Sequence, residues 1–207
     1  VTYDEMLEMA SLGAKVLHSR CVEIAKKYGV ELLVCSSLNR NSGTMVREKT
    51  KMEKMLISGV AADKNVAKIR VAGLGNDPES TFRLLNLLDR NNLNIDVMIQ
   101  SLGKDGTKSV SFTVAKPDML RTIDVLNDNK DLLGIKKLDY DENVAKVSVI
   151  GAGVRSHSGV AAKMFGALAN AGINTEMVTT SEIRITALID EAYADQAMRA
   201  IHETFLE

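Results

Sequence analysis

The sequence predicts an α+β protein made of two βαββαβ units, the first inserted in the second, preceded by a short helical segment. Three observations predict it. Asp63-Lys64-Asn65-Val66-Ala67-Lys68-Ile69 recurs as Asp141-Glu142-Asn143-Val144-Ala145-Lys146-Val147, and an offset of roughly eighty residues suits a duplicated small domain rather than a solenoid repeat. The pattern after each copy agrees: a strand ending in glycines, Lys68 to Gly75 and Lys146 to Gly153, then an amphipathic helix. The third observation is an imbalance at the ends. The first copy closes with a strand, Gly134 to Tyr140, whereas the second reaches Glu207 without one. Leu56-Ile57-Ser58-Gly59-Val60-Ala61 lies ahead of the first copy and is expected to complete the second sheet.

Each element follows from its local pattern. Thr2 and Glu5 have the spacing of a capping box, and helical apolar spacing then runs through Met6, Leu7, Ala10, Val16, Leu17, Ile24 and Ala25. That helix breaks near Ser11 to Gly13, and Gly29 supplies a C-cap. Glu31 to Ser36 reads as a short strand, Asn41-Ser42-Gly43-Thr44 as a turn and Arg47 to Lys54 as a charged connection. In the repeated units, Thr81, Leu84, Leu85 and Leu88 mark one helix face, and Ala161, Met164, Phe165 and Leu168 its counterpart, both at i, i+3, i+4, i+7. Alternation predicts strands around Ile95, Val97 and Ile99, at Val110, Phe112 and Val114, over Asn174 to Thr180, and through Ile183, Ile185, Ala187 and Ile189. Helices Pro117 to Asn129 and Glu191 to Phe205 close the two copies. Helices over one face of an antiparallel sheet, in this order, make a ferredoxin-like unit.

Composition narrows the function classes. The 207 residues are 45% hydrophobic and 26% charged, with net charge −1 and scattered Lys and Arg, which is no footprint for nucleic acid. Only 4% are aromatic and Trp is absent, leaving little for base stacking. No apolar run approaches a membrane span and no signal peptide opens the chain. The start at Val1, directly before a helix, suggests a piece of a longer protein. Cys21 and Cys35 lack metal-ligand spacing; they read as two buried thiols in a reducing, cytoplasmic setting. His18 and His202 read as surface or packing residues, and His157 as a loop-ordering residue. The methionines read as core filler.

The places for chemistry are two strand-to-helix loops, Gly73-Leu74-Gly75-Asn76-Asp77-Pro78 and Gly151 to Gly159. A helix start presents unpaired amides and partial positive charge to an anion, although glycines and Pro78 also serve simply to shape a turn. Neither loop fits a dinucleotide or triphosphate motif. Asn94 and Asp96, on the strand expected to return beside the first loop, with Gln100 further along, are acceptors suited to an ammonium group. Asn174 and Glu176 hold the equivalent places in the second unit.

Longer motifs carry a family resemblance that covers essentially the whole chain. Ala10-Ser11-Leu12-Gly13-Ala14-Lys15-Val16-Leu17-His18-Ser19-Arg20 resembles the A-x-x-G-A-K-V-L-H-P-R helix near the end of the aspartokinase catalytic domain, with Ser19 for proline. Ser156-His157-Ser158-Gly159-Val160 resembles S-H-P-G-V of the second ACT unit in that family. Ile173-Asn174 followed by Thr179-Thr180-Ser181-Glu182-Ile183-Arg184-Ile185 is similar to G-I-N…S-T-S-E-I-R-I. The resemblance implies a kinase-domain remnant and linker over 1–54, a first ACT domain over 63–140, and a second over 55–62 plus 141–207.

The family phosphorylates the aspartate side chain, using ATP and Mg in its kinase domain. Lysine and/or threonine bind the ACT units and inhibit. The K-F-G-G-[ST] motif of the preceding domain does not occur here, so no catalytic residue, cofactor, metal or activity is expected of these residues alone. A cytoplasmic homodimer through the ACT units is expected, with no nucleic-acid or membrane partner. The implied effector positions are Asn76, Asp77 and Pro78 with Asn94, Ile95, Asp96 and Gln100 in the first unit. In the second they are His157, Gly159, Val160, Asn174, Thr175, Ser181 and Glu182. The first loop departs from the family's D-x-P-G by placing Glu79 at the glycine, adding a side chain and a negative charge beside an expected carboxylate. A free-standing ACT sensor is the alternative, but such a sensor has no reason to carry the Ala10 to His18 helix.

Overall fold

The computed structural model describes residues 1–39, 43–48 and 57–206. Part of the expected turn at Asn41 to Thr44 and most of the connection Arg47 to Lys54 lie outside the described residues. The chain divides into two compact units, one of Val1–Lys64 with Lys146–Glu207 and one of Asn65–Ala145.

The unit of Val1–Lys64 and Lys146–Glu207 opens with α1 (Tyr3–Ser11) and α2 (Ser19–Tyr28), followed by the short antiparallel pair β1 (Leu32–Val34) and β2 (Thr44–Val46). The capping box forms as read: Thr2 Oγ1 accepts the Glu5 N–H at 3.2 Å and Glu5 Oε2 accepts the Thr2 N–H at 2.8 Å. Gly13 follows α1 with φ +102°, and a Cβ there would run into the Ala62 carbonyl. Glycine therefore lets the end of α1 press directly on backbone. His18 is the N-cap of α2, its Nδ1 accepting the Arg20 N–H at 3.2 Å, and Gly29 ends that helix at φ 65°. Tyr3, Met6, Val22, Ala25 and Val46 form a small core around these elements.

One sequence expectation changes here. His18 lies at the surface as read, with its ring also capping α2, whereas Cys21 and Cys35, read as buried thiols, are exposed. On α2 the buried positions are Val22 and Ala25, one turn apart, so Cys21 falls off that stripe.

β3 (Gly59–Leu74) starts in that unit and continues into the inserted one, Asn65–Ala145. There it is followed by α3 (Pro78–Arg90), β4 (Met98–Leu102), β5 (Lys108–Ala115), α4 (Met119–Asp128), α5 (Lys130–Leu133) and the beginning of β6 (Lys137–Ile150). The strand order is β4-β5-β3-β6, with β4 and β5 antiparallel and β5 antiparallel to β3. Lys136 N–H bonds to Ala72 O at 2.9 Å, leading the closing strand in. Ile69, Val71 and Phe112 on the sheet bury against Leu84, Leu88, Ile123 and Leu126 on the helices. These are the positions that the 2.0 and 3.6 periodicities select.

The unit of Val1–Lys64 and Lys146–Glu207 repeats the plan with the rest of β6, α6 (Gly153–Ser156), α7 (Gly159–Asn170), β7 (Met177–Thr180), β8 (Arg184–Asp190) and α8 (Ala194–Leu206). Its order is β3-β6-β8-β7. The fourth strand of this βαββαβ unit thus comes from ahead of the first copy: Ser58 N–H bonds to Ile150 O at 2.7 Å, and Ile57 lies in the core with Val147, Val149, Met164, Leu168, Ile185, Ile189 and Ile201. Leu56 lies outside the described residues, and the strand begins at Gly59. On the other face of the sheet the Lys146 ammonium, only 7% exposed, pairs with Asp63 at 3.3 Å. Both residues belong to the duplicated Asp-x-Asn-Val-Ala-Lys motif.

Candidate functional site

The corner between β3 and α3 is closed by its own side chains. Asp77 is the N-cap of α3, and its Oδ1 accepts the Glu79 N–H at 3.0 Å and a bond from the Arg83 guanidinium at 3.1 Å. Partial loss of hydration pushes the Asp77 carboxyl up. Its own N–H, the charge of Arg83 and the Glu79 and Ser80 amides outweigh this and hold it below the usual carboxylate range. Lys108 donates to Asp77 O at 2.8 Å and approaches Ser80 Oγ at 3.4 Å, while the Ser80 hydroxyl donates to Gly75 O at 2.6 Å. A carboxylate already occupies the anion position at this helix start, and an ammonium group lies beside the loop. Pro78 stands in the first turn of α3, and Asn76 is exposed.

The equivalent corner between β6 and α7 differs. Ser158, the N-cap residue of α7, makes no side-chain cap bond. Gly159 stands in open space, with nothing within 4 Å of a Cβ built there. Val160 N–H turns back to His157 O at 3.3 Å, and the Ser156 hydroxyl meets His157 Nδ1 at 2.8 Å. Ser181 and Glu182 join this corner from the β7–β8 turn. Gly151 N–H bonds to Ile183 O at 2.9 Å, Ser181 N–H bonds to Arg184 O at 2.8 Å, and Arg155 on α6 reaches Glu182 at 3.1 Å. This arrangement presents a helix start without a carboxylate cap, an imidazole and an exposed carboxylate within one loop cluster, matching the anionic and cationic ends of a zwitterion.

The remaining predicted residues lie elsewhere. Asp96 N–H bonds to Thr113 O at 3.1 Å, and Thr113 stands opposite Lys68 in the β3–β5 register, whereas the Asn76–Pro78 loop follows Leu74. At about 3.3 Å per residue, Asn94, Ile95 and Asp96 are roughly 20 Å along the sheet from that loop. The expectation that the returning strand brings them beside the loop does not hold within the unit. A strand-helix-strand crossover starts its second strand at the far end of the helix. Gln100 does come to the loop's side, where its Oε1 accepts the Thr81 hydroxyl at 2.6 Å.

Asn174 and Thr175 are likewise at the far end of α7. They line an open groove of about 410 Å³ with Phe165, Leu168 and Ile173. Glu176 N–H bonds to Leu188 O at 2.8 Å. The fourteen implied positions therefore form separate groups at the two ends of the units.

Sequence reasoning assigned no role to a set of contacts that ties α1 to the second corner. Glu5 is 4% exposed, and its Oε1 accepts from Ser58 Oγ at 2.7 Å and from Ala152 N–H at 3.3 Å. Burial raises its pKa, but the bonds from Ser58, Thr2 and Ala152 outweigh burial and hold the carboxyl below its ordinary value. Arg184 of β8 donates to Glu8 at 2.9 Å. Arg184 stands within the Thr179 to Ile185 motif, the one signal that pointed to it; the capping-box spacing marks Glu5 only for its bonds to Thr2, and nothing in the local spacing marks Glu8.

Two helices over a four-stranded antiparallel sheet, with a glycine-bearing strand-to-helix corner, define the class of ACT domains. The ACT domain family matches residues 147–205. Over 99% of its length this chain is 40% identical to an aspartokinase of Pseudomonas aeruginosa, and it spans about half of that relative, 50% of its length. Among solved structures, the regulatory subunit of aspartate kinase from Thermus thermophilus, in its ligand-free form, is 33% identical, with 72% of this chain and 99% of that one covered at a TM-score of 0.68. Aspartokinase III of E. coli in complex with lysine and aspartate, in its T-state, is 25% identical, with 100% of this chain and 46% of that one covered at a TM-score of 0.78. The chain belongs to the aspartokinase family, and it corresponds to the regulatory region. No helix among the described residues is long and apolar enough to cross a membrane.

Proposed function

We propose that this chain binds a free amino acid, lysine or threonine, at its second corner, and that occupancy controls the ATP- and Mg-dependent conversion of L-aspartate to 4-phospho-L-aspartate in the cytoplasm. The kinship with aspartokinases supports the reaction, and the lysine carried by E. coli aspartokinase III supports the class of effector. On this reading residues 1–54 belong to the end of the kinase domain, 63–140 to one ACT domain, and 55–62 plus 141–207 to the other.

The observation that carries the proposal is the contrast between two copies of one design. The α3 corner is capped by Asp77 and flanked by Lys108, whereas α7 starts without a side-chain cap. The effector carboxylate is assigned to the start of α7 at Gly159 and Val160 beside His157, and its ammonium to Ser181 and Glu182. Asn174 and Thr175, like Asn94 and Asp96, stand too far along their sheets to reach the same small ligand in one copy. Their place in the site requires a second copy of the chain, which is why a homodimer through the ACT units is part of the proposal.

Calorimetric titration with L-lysine and with L-threonine tests the reading. One of them is expected to bind with about one site per chain, because of the two helix starts only that of α7 is without a carboxylate cap. Binding of neither, or two equal sites per chain, overturns it.

A further inference from the structure

Resting on that reading of the second corner, we propose that α1 senses the corner's conformation, with Glu5 and Glu8 as positioning residues that each hold one of its two chain segments. Glu5 and Glu8 are one turn apart and share a helix face. Glu5 Oε1 holds the first segment through the Ala152 N–H at 3.3 Å and anchors the strand beside it through the Ser58 hydroxyl at 2.7 Å. Glu8 Oε2 holds the second through Arg184 at 2.9 Å. The two segments also touch each other through the Gly151–Ile183 bond, and the Ser181–Arg184 bond ties Arg184 to the turn that carries Glu182. Any change that separates the α6 loop from the β7–β8 turn must therefore lengthen a bond to α1 or drag the helix.

Two further features fit a coupling role. The far end of α1 is seated firmly, since Leu12, Ala61 and Ile150 form a buried cluster with Met9 and Ala14, so displacement at its middle cannot be absorbed by fraying. The Arg184–Glu8 pair is only 21% and 27% exposed, and Arg184 Nε is buried without a hydrogen-bond partner among the described residues. Burying a donor unpaired opposes folding, so this guanidinium is held where it is although its hydrogen bonding is incomplete. Glu5 is similarly in excess of local need. A capping box functions at a solvated helix end, yet the Glu5 carboxylate of this one is buried and directed at the corner.

Amide hydrogen exchange on the whole chain tests the proposal in two arms. In the ligand-free arm, Glu8→Gln and separately Arg184→Lys are expected to raise exchange of the 151–156 and 181–185 segments by about tenfold, the loss of one charge-assisted bond. Exchange in α3 and α8 should stay unchanged and so report intact folding. Unchanged exchange at both segments in both folded variants overturns the proposal. In the second arm, L-lysine or L-threonine is added. Whichever slows exchange at 156–161 in the native chain should also alter exchange in α1. In Glu8→Gln the corner should still respond while α1 does not. An α1 response that persists in the variant overturns the coupling. Failure of both amino acids to protect the corner refutes the effector reading instead, and the ligand-free arm then decides the contacts.

Discussion

Replacing Glu5 by Gln isolates a buried carboxylate with almost no change in shape. In the native chain Oε2 accepts from Thr2 N–H at 2.8 Å and Thr2 Oγ1 at 3.1 Å, and Oε1 accepts from Ser58 Oγ at 2.7 Å and Ala152 N–H at 3.3 Å. All four partners donate. A Gln amide keeps one acceptor oxygen and turns an NH₂ toward the other pair, so the substitution removes a charge and sets donor against donor. At about 1.5–3 kcal/mol for a bond to a charged group, with partial relaxation at the partly exposed Thr2, the expected loss is about 2–3 kcal/mol.

The pH dependence gives the sharper test. The Glu5 carboxyl is held below its ordinary value in the folded chain. Its contribution is therefore complete above the unfolded value of about 4.3 and is lost as pH falls through the folded value. Urea unfolding followed by circular dichroism should show native and Glu5→Gln chains separated at pH 7 and converging in acid. Equal stability at pH 7, or a gap that widens on acidification, would refute the reasoning.

Other substitutions probe the remaining elements. Gly13→Ala places a Cβ against the Ala62 carbonyl at φ +102°, and is expected to cost about 2–4 kcal/mol in urea unfolding, more than the 1–2 kcal/mol of a left-handed residue alone. His18→Ala should cost about 1 kcal/mol by removing the α2 cap, with His18→Asn close to native in the same measurement. Asp77→Ala should speed amide exchange in the first turn of α3 while leaving the first turn of α7 unchanged. In calorimetry with the amino acid that binds, Glu182→Ala should weaken affinity by about tenfold or more, as for loss of a charged partner. Gln100→Ala, which loses the bond from Thr81, should change affinity less than about twofold; the reverse order would move the site to the first corner.

Periodicity and repetition were enough to read the architecture, because apolar spacing reports directly which face of each element is buried. The copies of Asp-x-Asn-Val-Ala-Lys revealed the duplication, and the unpaired strand at 56–61 revealed the insertion, since a four-stranded unit that lacks one strand at its end must find it elsewhere. Capping signals were equally local: Thr2 with Glu5, Pro78 after Asp77, and Gly29 all act within a few residues of themselves. His18 fits the same logic, but a His accepting through Nδ1 has no strong positional preference to betray it.

The amino-acid order by itself determined two βαββαβ units, their interleaving and the positions of two strand-to-helix corners, because these depend on contacts a helical turn or a strand pair away. Tertiary structure decided which helix start carries a carboxylate cap. Lys108 reaches Asp77 from a strand thirty-one positions away, Glu5 reaches Ala152 across 147 positions and Glu8 reaches Arg184 across 176. It also moved Asn94 and Asp96 to the opposite end of their sheet from Asn76. Such pairings are set by strand register and crossover direction, which bring distant side chains together without leaving a trace in the spacing of either partner.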